Sequence, residues 1–336
     1  MSGPRRSVAG VTLIELMVAL VLGLIVAGAA MAVFITTRQT YVATESLGRL
    51  QEGARVAFEL MSRDLREAAT IPCSNETVLN NVVDSTDWWT ARDATGTEPL
   101  VQWNNTSFVG YTSGGSDAIQ LIAAVSPRVD PIVVTIAPAA PATLPVNLVV
   151  NSVSADDISA GDLLLVCDYG YFDAGPPPVT RAASGAIFQA STVDAGTGTI
   201  GIATSGSPGN TAGNLFNSSF EPASPQLNGI VSVLRPTRWY IGDNANGGKS
   251  LFRSRLLNTA GALTVADDEI VANADDMTLT YLEKGGAAYV AAAAVTNWSA
   301  IRAVRIQLHM TGTDLVDGKP IERTLEHVVT VRNRAL

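Results

Sequence analysis

The chain has 336 residues, of which 47% are hydrophobic and 16% charged, and its net charge is −9. The apolar content excludes a wholly disordered chain, and the acidic balance excludes a protein held on nucleic acid by a general basic surface. Two cysteines and two histidines exclude a four-thiolate zinc centre, and His309 and His327 fall in strand-like segments without neighbouring ligands, so neither a metal nor a cofactor is expected.

Residues 1–10 (MSGPRRSVAG) carry two cations, Arg5 and Arg6. Residues 11–35 then form an apolar run of 25 residues with one charge, Glu15. As a helix this run is about 37 Å long, enough to cross a hydrocarbon layer of about 30 Å. The preceding positive charge predicts a single pass with the N-terminus in the cytoplasm and the rest of the chain on the far side. A secretory signal peptide cut near Ala30 or Ala32, or a plain anchor, would also have this hydropathy. Neither accounts for Glu15, because an acid inside an apolar membrane helix costs up to about 3 kcal/mol and calls for a partner. Cutting the chain after Gly10 supplies one. Val11 becomes the N-terminus, Glu15 its fifth residue, and the carboxylate of one chain can neutralise the amine of a staggered neighbour.

Ala9-Gly10 followed by Val11-Thr12-Leu13-Ile14-Glu15-Leu16-Met17 resembles the class III signal of type IV prepilins and type II secretion pseudopilins. The resemblance implies cleavage between Gly10 and Val11 by a prepilin peptidase, N-methylation of Val11, and subunit docking through Glu15. Most members carry Phe at the first mature position, where this chain has Val11.

Helical periodicity continues past the apolar run. Leu47, Leu50, Ala54, Phe58, Met61, Leu65 and Ala68 recur every three or four residues, with Arg49, Glu52, Arg55, Glu59, Arg63 and Glu67 on the other face. Pro72 ends the pattern. A helix from about residue 12 to about residue 70 would be roughly 88 Å long, with Gly23, Gly28, Gly48 and Gly53 as weak points. The chain therefore divides into a leader (1–10), a transmembrane and assembly helix (11–35), its amphipathic continuation (36–71) and a β-rich head (72–336).

Within the head, short β-branched runs at 118–122, 132–136, 146–150, 163–167, 186–190 and 230–234 alternate with Gly, Ser, Asn and Pro, as expected of strands with long loops. Residues 136–145 (IAPAAPATLP) read as a Pro/Ala loop, and 204–228 as a long exposed one. Residues 238–242 (RWYIG) and 250–255 (SLFRSR) flank DNANGG at 243–248, a hairpin signal. Further strands are expected at 277–283, 303–311 and 323–332. Residues 196–201 (GTGTIG) match G-x-G-x-x-G, but the following residues make a poor helix, so a glycine-rich hairpin is expected rather than a nucleotide site. Asp243, Asn244 and Asn246 lack the terminal Glu of a calcium loop and read as a turn. Asp156, Asp157 and Asp162 read as solvated loop charges.

Residues 160–168 (AGDLLLVCD), 186–189 (AIFQ), 238–241 (RWYI), 251–253 (LFR) and 329–334 (VTVRNR) together resemble the PilW family of minor pilins, which is related to the J-type pseudopilins. Residues 74–159 contribute little to this resemblance. It implies an α+β, pilin-like fold, a long N-terminal helix on an antiparallel sheet head with long loops. It also implies a non-enzymatic role among the low-abundance subunits that prime pilus assembly and sit at the tip. The partners implied are other minor pilins, the major pilin, a tip adhesin and, before assembly, inner-membrane lipid. The location implied is the inner membrane with a periplasmic head, then the pilus at the cell surface. In that oxidising compartment Cys73 and Cys167 are expected to form a disulfide, the alternative being two buried thiols. A J-type pseudopilin is the second reading, and a membrane-anchored exported enzyme or binding protein is a third, of another class.

Overall fold

The computed structural model describes residues 12–73, 77–90, 100–136, 142–168, 171–173, 179–181, 184–216, 229–316 and 318–331. Gly10, Val11, residues 217–228 of the expected exposed loop, residues 137–141 of the Pro/Ala segment and the terminal 332–334 lie outside the described residues. The architecture is a long apolar N-terminal helix followed by a large, predominantly antiparallel β head, the pilin-like α+β arrangement. The helix runs Leu13–Glu67, 55 residues, or about 82 Å at 1.5 Å per residue.

The chain forms two compact units. One comprises residues 1–52 and 311–323, the other residues 53–310 and 324–336. In the first, the helix is accompanied by the end of strand Ile301–Val316 and the start of Lys319–Thr330. Ser46 is buried there, and a Cβ on Gly312 would fall 2.5 Å from its Oγ, so the strand backbone lies directly on the helix. Arg49 bonds both Glu45 and Asp314, fixing the strand end beside the same turn.

The second unit holds a 13-stranded sheet whose hub is Gly229–Asp243. One edge of that strand pairs with Ile132–Ile136 and Ser116–Val125, the other with Leu163–Cys167 and Lys249–Thr259. The sequence suggests two strands here, 230–234 and 238–242, separated by Arg235-Pro236. They form one continuous strand. Pro236 is tolerated because pairing with Leu163–Cys167 ends at Val233 and pairing with Lys249–Thr259 starts at Thr237. The missing N–H therefore falls in a gap between two partners.

Leu163–Cys167 is buried at every position, and its side chains alternate between two cores. Leu164 and Val166 join Val134, Leu148, Phe188, Ile200 and Val231, whereas Leu163, Leu165 and Cys167 join Leu79, Trp103, Ile122 and Ile187. An unbroken apolar run is what a strand covered on both faces requires. A second sheet has the order Val290–Ala291, Ala274–Glu283, Ile301–Val316, Lys319–Thr330. The alternation read at 303–311 is present, with Val304, Ile306, Leu308 and Met310 buried.

The hairpin at 243–248 closes as the Asn/Gly signal predicts. Asn244 Oδ1 accepts from the Asn246 and Gly248 amides, and Gly247 takes a φ of 78°. The turn at 195–198 joins the short strands Thr192–Asp194 and Thr199–Ile202, so residues 196–201 form part of a second hairpin. The long exposed loop is corrected within residues 204–216. Asn210, Leu215 and Phe216 are buried, and Asn210 donates to the Gln189 and Ala203 carbonyls, so this segment covers a core rather than projecting from it.

Candidate functional site

Three features of the helix make up the candidate site: its start, its apolar surface and its attachment to the sheet. Thr12 caps the start. Its Oγ1 accepts from the Glu15 amide at 3.3 Å and its carbonyl accepts from the Leu16 amide at 3.1 Å. Thr12 and Glu15 stand in the T-x-x-E spacing of a capping box, a signal legible in the sequence that the prepilin reading passes over. Glu15 is exposed in the first turn, where the positive end of the helix dipole favours a carboxylate. Gly10 and Val11 lie outside the described residues.

From Thr12 to Arg38 every residue is exposed. Leu13, Leu20, Leu24, Val26, Met31 and Phe34 are all at least 60% accessible. The helix is long and apolar enough here to cross a membrane, and none of this stretch is buried against the rest of the chain. Residues apolar on every side want lipid or other helices around them.

In the second unit the helix turns amphipathic and docks. Ala54, Ala57, Met61, Leu65 and Ala68 are buried, while Arg55–Glu59 and Arg63–Glu67 pair along the exposed face. Of the four helical glycines, Gly23, Gly28 and Gly48 face open space. Gly53 does not, because a Cβ there would lie 3.0 Å from Val271 Cγ1, so this glycine permits close approach to the sheet. Asp64 is 9% exposed and accepts from Trp239 Nε1 and from Arg253 Nη2, each at 2.9 Å. Burial nonetheless holds its carboxyl above the ordinary range, outweighing the opposing pull of Arg253 and the Trp239 hydrogen bond.

Past the helix the backbone is stitched to the sheet. The Ala69 amide donates to the Ile122 carbonyl at 2.9 Å, the Ala124 amide to the Thr70 carbonyl at 2.8 Å, and Trp103 Nε1 to the Ala69 carbonyl at 3.0 Å. Cys73 and Cys167 complete the attachment as a disulfide with a Cα–Cα separation of 6.2 Å, closing a 94-residue span. Asp64, Trp239, Arg253 and Trp103 are missed by sequence reasoning, because their partners are 34 to 189 residues away.

Other acidic candidates serve turns. Asp157 accepts from Ser154 and Arg128, Asp162 from Ser159 and Asn258, and no cluster of three or more metal-ligating side chains occurs among the described residues.

Residues 5–31 match the prokaryotic N-terminal methylation motif. No curated protein and no solved structure matches the chain. The motif supports a type IV pilin- or pseudopilin-like protein and implies processing by a prepilin peptidase and assembly with other pilins. With the apolar helix, it supports a protein anchored in a membrane and assembled into a pilus.

Proposed function

We propose that this chain is a minor pilin of the type IV pilus, of the PilW kind, a structural subunit rather than an enzyme. The leader is cut between Gly10 and Val11, and the new amine of Val11 is methylated. Before assembly the helix anchors the subunit in the inner membrane with its head in the periplasm. During assembly Glu15 pairs with the N-terminal amine of an adjacent subunit, and the apolar helix enters the fibre bundle near its tip. Other minor pilins, the major pilin and a tip adhesin are its partners.

The observation that carries this reading is the segment Thr12–Arg38, exposed throughout, with an acid in its first turn and most of its length inside the methylation motif matched at residues 5–31. In an apolar bundle an unpaired carboxylate is costly, so docking that supplies a cation is favoured. The ordered scatter of residues 160–168, 186–189, 238–241, 251–253 and 329–334 supports the PilW assignment, and the disulfide suits an oxidising periplasm. The test is Glu15→Leu. Membrane insertion stays intact, and incorporation into sheared fibres, read by immunoblot against total subunit, is lost. Wild-type incorporation by the variant contradicts the docking role.

A further inference from the structure

A cavity of about 180 Å³ opens between the amphipathic half of the helix and the large sheet, wholly inside the unit of residues 53–310 and 324–336. Three arginines and two acids line it. Asp64 accepts from Arg253 Nη2 at 2.9 Å, and Glu67 accepts from Arg63 Nε at 3.2 Å. Arg235 is left over. It is exposed at the cavity mouth and makes no hydrogen bond, ion pair or ring contact among the described residues. The local fold explains the opening. Arg235 precedes Pro236, in the stretch where pairing with Leu163–Cys167 has ended at Val233 and pairing with Lys249–Thr259 has not begun. Its cross-strand neighbour on the other side is Ala123, whose side chain is too short to fill the space. Thr237 and Trp239 follow Arg235 on the same face of the strand. Trp239 Nε1 reaches Asp64, so this is the face that the helix covers.

We infer that this cavity is a binding site for one carboxylate group, gripped by the Arg235 guanidinium with the Thr237 hydroxyl donating beside it. Charge sets the class of ligand. Asp64 and Glu67 already neutralise two of the three guanidinium groups, so a single negative charge completes the balance. A dianion would bring a second charge close to those two carboxylates with no cation to meet it. Shape points the same way, because the planar fork of an arginine matches the two oxygens of a carboxylate. Thr237 is buried and its side chain makes no hydrogen bond among the described residues, which leaves its hydroxyl available. Leu121 and Ala123, both buried, give the cavity an apolar floor that strengthens the attraction above that of an ion pair in open water. A free small acid and an acidic side chain of an adjacent subunit carry the same group.

The test uses the full chain, disulfide intact, in detergent micelles at neutral pH and constant ionic strength. Acetate is the probe, read by saturation-transfer NMR, with phosphate as competitor. The unaltered protein should bind acetate saturably, Arg235→Gln about tenfold more weakly, and Arg55→Gln, on the solvated face of the helix, as the unaltered protein does. Because Arg235 holds no other group, the unfolding midpoint of Arg235→Gln should not move. A lowered midpoint would mean that Arg235 serves the fold, and overturns the site. Equal acetate binding by the unaltered protein and Arg235→Gln, or none by either, overturns it as well. Phosphate that occupies the site at a lower concentration than acetate overturns the carboxylate assignment. These readings come from the purified chain, so they stand whether or not it enters a pilus. Once acetate binding is established, incorporation of Arg235→Gln into sheared fibres assigns the source. A drop relative to the unaltered subunit identifies an acidic side chain of an adjacent subunit, and unchanged incorporation identifies a free acid.

Discussion

Residues 13–38 and residues 53–67 belong to one helix, yet every residue of the first stretch is exposed, whereas Ala54, Ala57, Met61 and Leu65 of the second are buried. The first stretch is the more apolar of the two, so hydrophobicity alone does not bring a segment into its own chain's core. What differs is direction. The second stretch concentrates its apolar residues on one face, which the sheet covers, and spends the other on Arg55–Glu59 and Arg63–Glu67. The first has no polar face, so no single sheet could satisfy it, and it is suited to an environment apolar on all sides.

The comparison breaks most visibly at the end of the docked stretch. Replacing Cys73 and Cys167 together by serine should lower head stability by about 4 kcal/mol, given the length of the closed span. Denaturant unfolding with and without reductant measures this, and a loss below about 1 kcal/mol would place the attachment in the hydrogen bonds around Ala69 instead. Met61→Ala should cost about 3 kcal/mol, from lost burial and the cavity left behind. Leu22→Ala, in the exposed stretch, should leave the head's unfolding midpoint unchanged and affect assembly alone. Similar destabilisation by the two would erase the distinction between the halves.

Asp64 sharpens the comparison, since it is an acid that the docked half buries. Its carboxyl is raised in the folded state, so its stabilising contribution is fully present below its unfolded value of about 4 and is lost as pH rises through the raised folded value. Asp64→Asn keeps an acceptor for Trp239 and removes the titration. The stability difference between the two proteins should therefore move in favour of the asparagine variant as pH rises above about 4. The opposite slope would mean that the Arg253 pair outweighs burial. The smallest effect belongs to the solvated face, where Arg55→Ala should cost about 0.3 kcal/mol and vanish at high salt.

Much of the helix was legible because its signals are local: the basic leader, the apolar run, the lone acid and the three-to-four spacing that follows. The 243–248 hairpin was legible for the same reason, since Asn244 and Gly247 set the turn without help from elsewhere. Strand continuity through Pro236 was not, because it depends on where two distant partners stop and start. The burial of Leu215 and Phe216 was hidden by the Gly, Ser and Asn residues around them, which read as a loop although the segment seals a core. The alliance of Gly312 and Asp314 with Ser46 and Arg49 spans most of the chain and leaves no local mark. Of the candidate site, the place of Glu15 in the first helical turn follows from spacing, whereas the Thr12 cap beneath it lies in a T-x-x-E pattern that coincides with the processing motif.

The account depends most on where the mature chain begins. Intact-mass spectrometry of the protein purified from membranes or fibres decides this. The account predicts a chain starting at Val11, with residues 1–10 absent and one added methyl group, and hence a net charge moved from −9 to −11 by the loss of Arg5 and Arg6. A mature chain that starts near Ala30 or Ala32, or that retains Met1, would contradict it.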